Sequence, residues 1–140
     1  MVRLTEDVER IAANSQTGLL MTDVPVIDAE SIENLRALNP GDGDEFLREI
    51  ITIYLDDTPQ RITELEQSIV RGDVATFTRA AHSVKGSSAN LGAMAVRQVA
   101  EQLEHRSHKQ GLADVGALLT SLKEQFEVAR IEFSKLLQTS

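Results

Sequence analysis

Apolar residues recur along most of this chain at steps of three and four, the repeat of helices that each bury one face. Asp28 precedes a short stretch in which Ile32, Leu35 and Leu38 share a face, and "NPGDG" from Asn39 to Gly43 stops it. A long helix is predicted next, with Leu47, Ile50, Tyr54, Ile62, Leu65 and Ile69 on one stripe. The stripe keeps its phase across Pro59, which predicts a kink or brief break inside a single element. "RGD" at Arg71 to Asp73 supplies a glycine stop and an aspartate cap. A third segment places Val74, Phe77, Ala81, Val84, Ser88 and Leu91 on a seam that ends at Gly92. A fourth carries Val96, Val99 and Leu103 and stops near Gly111. The last runs from about Asp114, with Val115, Leu118, Leu122, Phe126, Ala129, Phe133 and Leu136.

No segment alternates with the period of a strand. Four principal helices joined by short turns predict an all-α fold, an antiparallel up-and-down four-helix bundle with a short leading helix. Residues 1–25 differ from the rest and read as an N-terminal extension, in which Leu4, Val8 and Ile11 allow a short amphipathic helix before "NSQTG" breaks the pattern. Residues 26–138 form the bundle domain.

Composition narrows the function. Of 140 residues, 41% are apolar but only 4% aromatic, with no Trp, so the core must be built mainly from Leu, Ile, Val and Ala. The absence of cysteine removes disulfides, thiolate nucleophiles and Cys-ligated metal. A net charge of -8 repels nucleic acid and anionic membrane surfaces, so neither is expected as a partner. Apolar runs such as "IAA" and "LLM" are too short to span a bilayer, and the charged "MVRLTEDVER" has no signal-peptide core. A cytoplasmic protein is expected, and the start at Met1 mildly favours a separate protein over a piece of a hybrid sensor kinase. There is no P-loop or GxGxxG loop to cradle a nucleotide, so the chain is not expected to phosphorylate itself.

The chemistry concentrates in "AAHSVKGSSANLG", Ala80 to Gly92. On a helical wheel His82 lies about 160° from Val84, nearly opposite the seam, with Thr78, Arg79, Lys85, Gly86 and Ala89 within about 60° of it. The imidazole therefore points out of the core. A neutral imidazole nitrogen is a competent nucleophile, and attack on a phosphoryl group gives a phosphoramidate whose anion needs a nearby cation. Lys85, one turn on, supplies it. Gly86 costs about 1 kcal/mol of helix stability relative to alanine, yet with Ala89 it leaves a flat approach beside the ring. An antiparallel turn at Gly92 places Glu101, Glu104 and His105 level with His82, any of them off the seam of the fourth helix. A carboxylate there accepting Nδ1–H would fix the tautomer and free Nε2; a solvated glutamate fits the same positions.

"HSVKGSSANLG" resembles the signature of histidine-containing phosphotransfer (HPt) domains of phosphorelays, matching at His82, Lys85, Gly86, Ser87, Ser88, Leu91 and Gly92. "YLDDTPQRITELEQSIVRGD" upstream and "AEQLEH" downstream are also similar to family sequences, and the likeness covers about residues 26 to 137. The resemblance implies a phosphorelay intermediate in a two-component system, without kinase activity of its own. His82 would accept phosphoryl through Nε2 from a receiver aspartate and pass it to another receiver. Lys85 would steady the phosphate, Gly86 would give the receiver room, and the family's Glu or Gln position falls on Glu104. The implied partners are response-regulator receivers or a hybrid sensor histidine kinase. No cofactor is expected in the chain itself; Mg²⁺ would come with the receiver.

Other readings carry less. A non-catalytic helical adaptor would keep the bundle but has no need of the intact His82–Lys85–Gly86 set. His105 and His108, three apart, suit zinc but lack further ligands nearby. "DGDE" at Asp42 to Glu45 lacks the later ligands of a calcium loop and reads as a helix start. Asp56 and Asp57 are adjacent and cannot share one helix face as a catalytic pair.

Overall fold

The structure, a computed structural model, describes residues 24–138. Among them are five helices and no strand: α1 Ala29–Leu38, α2 Glu45–Arg71, α3 Val74–Leu91, α4 Met94–Gln110 and α5 Gly116–Gln138. Helices α2 to α5 pack in sequence around one core and α5 closes back onto α2, while α1 leans on α2 and α3. This is the all-α up-and-down bundle with a short leading helix. The amphipathic helix expected at Leu4, Val8 and Ile11 lies outside the described residues.

Local chemistry sets most of the turns. The Asp28 carboxylate caps α1, accepting from Ser31 N–H at 3.2 Å and from Ser31 Oγ at 2.7 Å. Asp42 serves the start of α2, accepting from the backbone N–H of Asp44 and Phe46, both at 3.0 Å. Asp73 caps α3 through the N–H of Thr76 at 3.1 Å. At the end of α3, Gly92 is left-handed, and the Ala93 N–H returns to the Ser88 carbonyl at 2.8 Å.

Packing moves some sequence expectations. Helix α2 runs unbroken through Pro59. Its buried stripe uses Leu47, Ile51, Tyr54, Thr58, Ile62, Leu65 and Ser68, while Ile50 and Ile69 are only half-buried. The seam therefore admits short polar side chains; Ser68 satisfies its hydroxyl on the Glu64 carbonyl at 2.8 Å. Leu38, expected on the buried face of α1, is 69% exposed at the helix's last residue, and Val74 is exposed at the first residue of α3. Helix α5 begins at Gly116 instead of near Asp114. Val115 is fully buried and its carbonyl takes the first helical bond, from Leu119 N–H at 2.9 Å, so core burial of Val115 sets the boundary.

Tyr54 ties three helices together. Its ring meets Phe126 and Phe133 of α5 edge-on, with centroids 5.9 and 5.7 Å away, and its hydroxyl hydrogen-bonds the buried Ser88 Oγ of α3 at 2.7 Å. Burial pushes the phenol up to about 12, against the opposing pull of the Ser88 hydrogen bond. Above its ordinary value of 10.0 the unfolded chain releases a proton that the folded chain keeps, so stability falls as pH rises from 10 towards 12. Tyr54→Phe is expected to cost about 1 kcal/mol near neutral pH through the lost hydrogen bond. It should also flatten this alkaline loss. Urea unfolding at several pH values checks both.

Candidate functional site

Helix α3 presents the site because its inner face is fully committed. Phe77, Ala80, Ala81, Val84, Ser88 and Leu91 are buried, so His82, between them in sequence, must face outward. Its side chain is 66% exposed. The tight turn at Gly92 lays α4 antiparallel against α3 and brings residue 104 beside residue 82.

One carboxylate joins the predicted residues. Glu104 Oε2 is 2.9 Å from His82 Nδ1, and Glu104 Oε1 is 2.7 Å from Lys85 Nζ. Partial burial pushes the Glu104 carboxyl up, but the hydrogen bonds from Lys85 and His82 and the accompanying charge attraction outweigh it. The carboxyl is held below its ordinary value. An ionised Glu104 has only acceptors, so the His82 nitrogen it contacts is the protonated one, and the tautomer with Nε2 free follows. Nε2 has no hydrogen-bond partner among the described residues.

Of the three α4 residues that spacing left open, only Glu104 meets the histidine. Glu101 pairs with Arg97 at 3.6 Å, and His105 is exposed. Lys85 lies on Glu104, a partner on the neighbouring helix that spacing within α3 does not reveal. Arg79 lines the groove beside His82 with Thr78, Ser83 and His108, and its guanidinium donates to Thr76 Oγ1 at 3.3 Å.

Gly86 is exposed and helical, and a Cβ built on it meets no heavy atom within 4 Å. Packing does not require a glycine there. Sequence reasoning missed Ser107. It is buried on α4, hydrogen-bonds Thr78 Oγ1 at 2.7 Å, and donates to the Glu104 carbonyl at 3.1 Å, so it pins the turn that carries Glu104. The available signal was its place one turn beyond Leu103 on the seam.

The remaining clusters do not assemble. His105 and His108 are exposed, and among the described residues no group of three or more potential ligands is placed to hold a metal ion. Asp57 pairs with Arg61 at 3.5 Å, as a surface ion pair along α2. No helix of the described residues is long and apolar enough to cross a membrane.

Comparison with known proteins gives the family and the fold. The Hpt domain family model matches residues 49–132. The Multistep phosphorelay regulator 1 of Schizosaccharomyces pombe is 28% identical over 86 residues, 61% of this chain, and the chain spans only 29% of that protein's length. Histidine-containing phosphotransfer protein 1 of Oryza sativa subsp. japonica is 26% identical over 112 residues, covering 78% of this chain and 76% of the rice protein. The crystal structure of histidine-containing phosphotransfer protein B (HptB) from Pseudomonas aeruginosa PAO1 superposes with a TM-score of 0.76 at 25% identity, covering 83% of this chain and 97% of that one.

Proposed function

This chain belongs to the Hpt domain family, and we propose that it is a phosphorelay intermediate which takes a phosphoryl group on His82 Nε2 from a receiver aspartate and passes it to another receiver. The observation that carries the reading is the single carboxylate, Glu104, holding Nδ1 at 2.9 Å while the exposed ring leaves its other nitrogen open. In the forward step Nε2 attacks phosphorus in line, the Nε2–P bond forms, and the bond from phosphorus to the aspartyl oxygen breaks. The aspartate departs as a carboxylate. Transfer onward is the same step in reverse on a second receiver.

The partners are receiver domains of response regulators or of a hybrid sensor histidine kinase, met in the cytoplasm, and each brings the Mg²⁺ that shields its own phosphoryl. The phosphotransfer domain spans residues 26–138. Lys85, one turn from His82, neutralises charge on the incoming phosphoryl once it turns from Glu104. The experiment is incubation of the full chain with a panel of phosphorylated receivers, scoring label transfer. The reading predicts labelling by at least one receiver and loss of label to another; a panel that neither gives nor takes phosphoryl would leave an adaptor.

Gly86 offers a second check. Its helical backbone and open surroundings mean that Gly86→Ala should gain roughly 0.5–1 kcal/mol. Gly86→Gln should keep much of that gain while standing where the receiver must approach. The expected result is a melting point equal to or above the parent's, with slower transfer that higher receiver concentration restores. Full transfer activity at low receiver concentration would show that the bare surface is not needed.

A further inference from the structure

The placement of Glu104 bears on the phosphorylated state as well as on the resting one. The resting ring already carries its proton on Nδ1, facing a carboxylate oxygen at 2.9 Å. When Nε2 bonds to phosphorus, that proton has two fates. If it stays, the ring is a phosphorylated imidazolium, and its positive charge sits against Glu104. If it leaves, the ring is neutral. The difference matters for the next step. As the second aspartate attacks, the P–N electron pair returns to Nε2. A ring that kept its Nδ1 proton departs as neutral imidazole, whereas a ring that lost it must depart as imidazolate, a far stronger base and a poorer leaving group.

Resting on the reading of His82 as phosphoacceptor, we propose that Glu104 retains the Nδ1 proton through the whole cycle, so that phosphohistidine stays in its imidazolium form and remains transferable. No proton enters or leaves the ring in either direction. In the resting site Lys85, 2.7 Å from the other carboxylate oxygen, sets Glu104 so that Oε2 faces the ring; once Lys85 turns to the phosphoryl group, the contact with Nδ1–H keeps the carboxylate there. The groups around the ring are of both signs. From α3 come Arg79 and Lys85, and from α4 come Glu104 and His108. Arg79 and Lys85 oppose a positive ring; among these side chains Glu104 is the one anion and the one in direct contact. Glu104 is a positioning residue in this scheme, since it touches the ring and not the phosphoryl group.

The test needs no receiver to load the histidine. The full chain and its Glu104→Gln variant are phosphorylated with phosphoramidate, and the Nδ1 titration of the phosphorylated ring is followed by ¹⁵N and ³¹P NMR. The amide oxygen of Gln still accepts from Nδ1–H, so the tautomer is kept and only the charge is lost. A contacting opposite charge favours the charged ring by about 1–3 pH units. The parent should therefore keep its proton to a pH at least about one unit above the variant's midpoint. Between the two midpoints, onward transfer from the variant should be slower by about tenfold, and at acid pH the two should converge. Equal midpoints, or a lower midpoint in the parent, would overturn the proposal, as would a rate gap that persists at acid pH. A chain that takes no label at His82 from phosphoramidate overturns it together with the acceptor assignment. Labelling at His82 with the expected titration but no exchange with any receiver would sink the relay and leave this proposal standing.

Discussion

Replacing His82 by Gln is expected to abolish phosphoryl uptake completely while leaving the bundle intact. The chain has three histidines, and the other two differ from His82 in what surrounds them. His105 and His108 are exposed on α4, but neither has the carboxylate on Nδ1 that sets the tautomer of His82. Glutamine keeps a polar side chain of similar reach but offers no nucleophilic ring nitrogen. Folding should hardly respond, because the His82 side chain is 66% exposed and buries nothing the core needs. Loss of its hydrogen bond to Glu104 should cost no more than about 1 kcal/mol, and Lys85 still satisfies the carboxylate. Labelling from a phosphorylated receiver, run beside circular dichroism and a thermal melt, measures both halves. Residual label on His105 or His108 in a folded variant would contradict the assignment.

The largest effect on stability is expected at Gly92. Its φ of +80° is a left-handed conformation that costs an L side chain about 1–2 kcal/mol. A Cβ there would also lie 2.6 Å from Ser31 Cβ and 3.2 Å from the Asp28 carbonyl oxygen. Ser31 Cβ is fixed to the α1 backbone, so relief requires α1 to move away. That movement strains the bond from Asp28 N–H to the Gly92 carbonyl, now 2.8 Å, with about 1 kcal/mol at stake. Gly92→Ala should therefore lose roughly 2–4 kcal/mol. Gly72 is the control: its φ is +70°, but a Cβ there meets nothing within 4 Å. Gly72→Ala should lose only about 1–2 kcal/mol. Urea unfolding of both variants gives the comparison. Equal losses would mean that the approach of α1 contributes nothing and that backbone conformation accounts for the whole effect.

The contrast between these two glycines shows where local signals stop. Each reads in the sequence as a helix stop, and each is one, because a left-handed C-cap depends on its own few residues. That α1 presses on Gly92 and not on Gly72 depends on a segment sixty residues away in the chain, which no local pattern contains. Glu104 and Lys85 repeat the lesson. The turn at Gly92 and the 3.6-residue period brought three candidates level with His82, but side-chain reach across the helix pair chose Glu104 and attached Lys85 to it.

What the sequence determined by itself were the properties that repeat along one element: the helical period, the caps at Asp28 and Asp73, the stops at Gly72 and Gly92, and the outward direction of His82 opposite Val84. Periodicity and capping are enforced within a turn or two of the chain, so they are legible there. The choice of Ile51 over Ile50 for the core, the burial of Thr58 and Ser68, and the start of α5 after Val115 came only from tertiary packing. So did the sharing of the Glu104 carboxylate between His82 and Lys85. Each of these depends on how closely neighbouring helices approach and at what rotation. A turn of one helix by a few tens of degrees leaves its own hydrogen bonds unchanged but moves one residue into the core and another out of it.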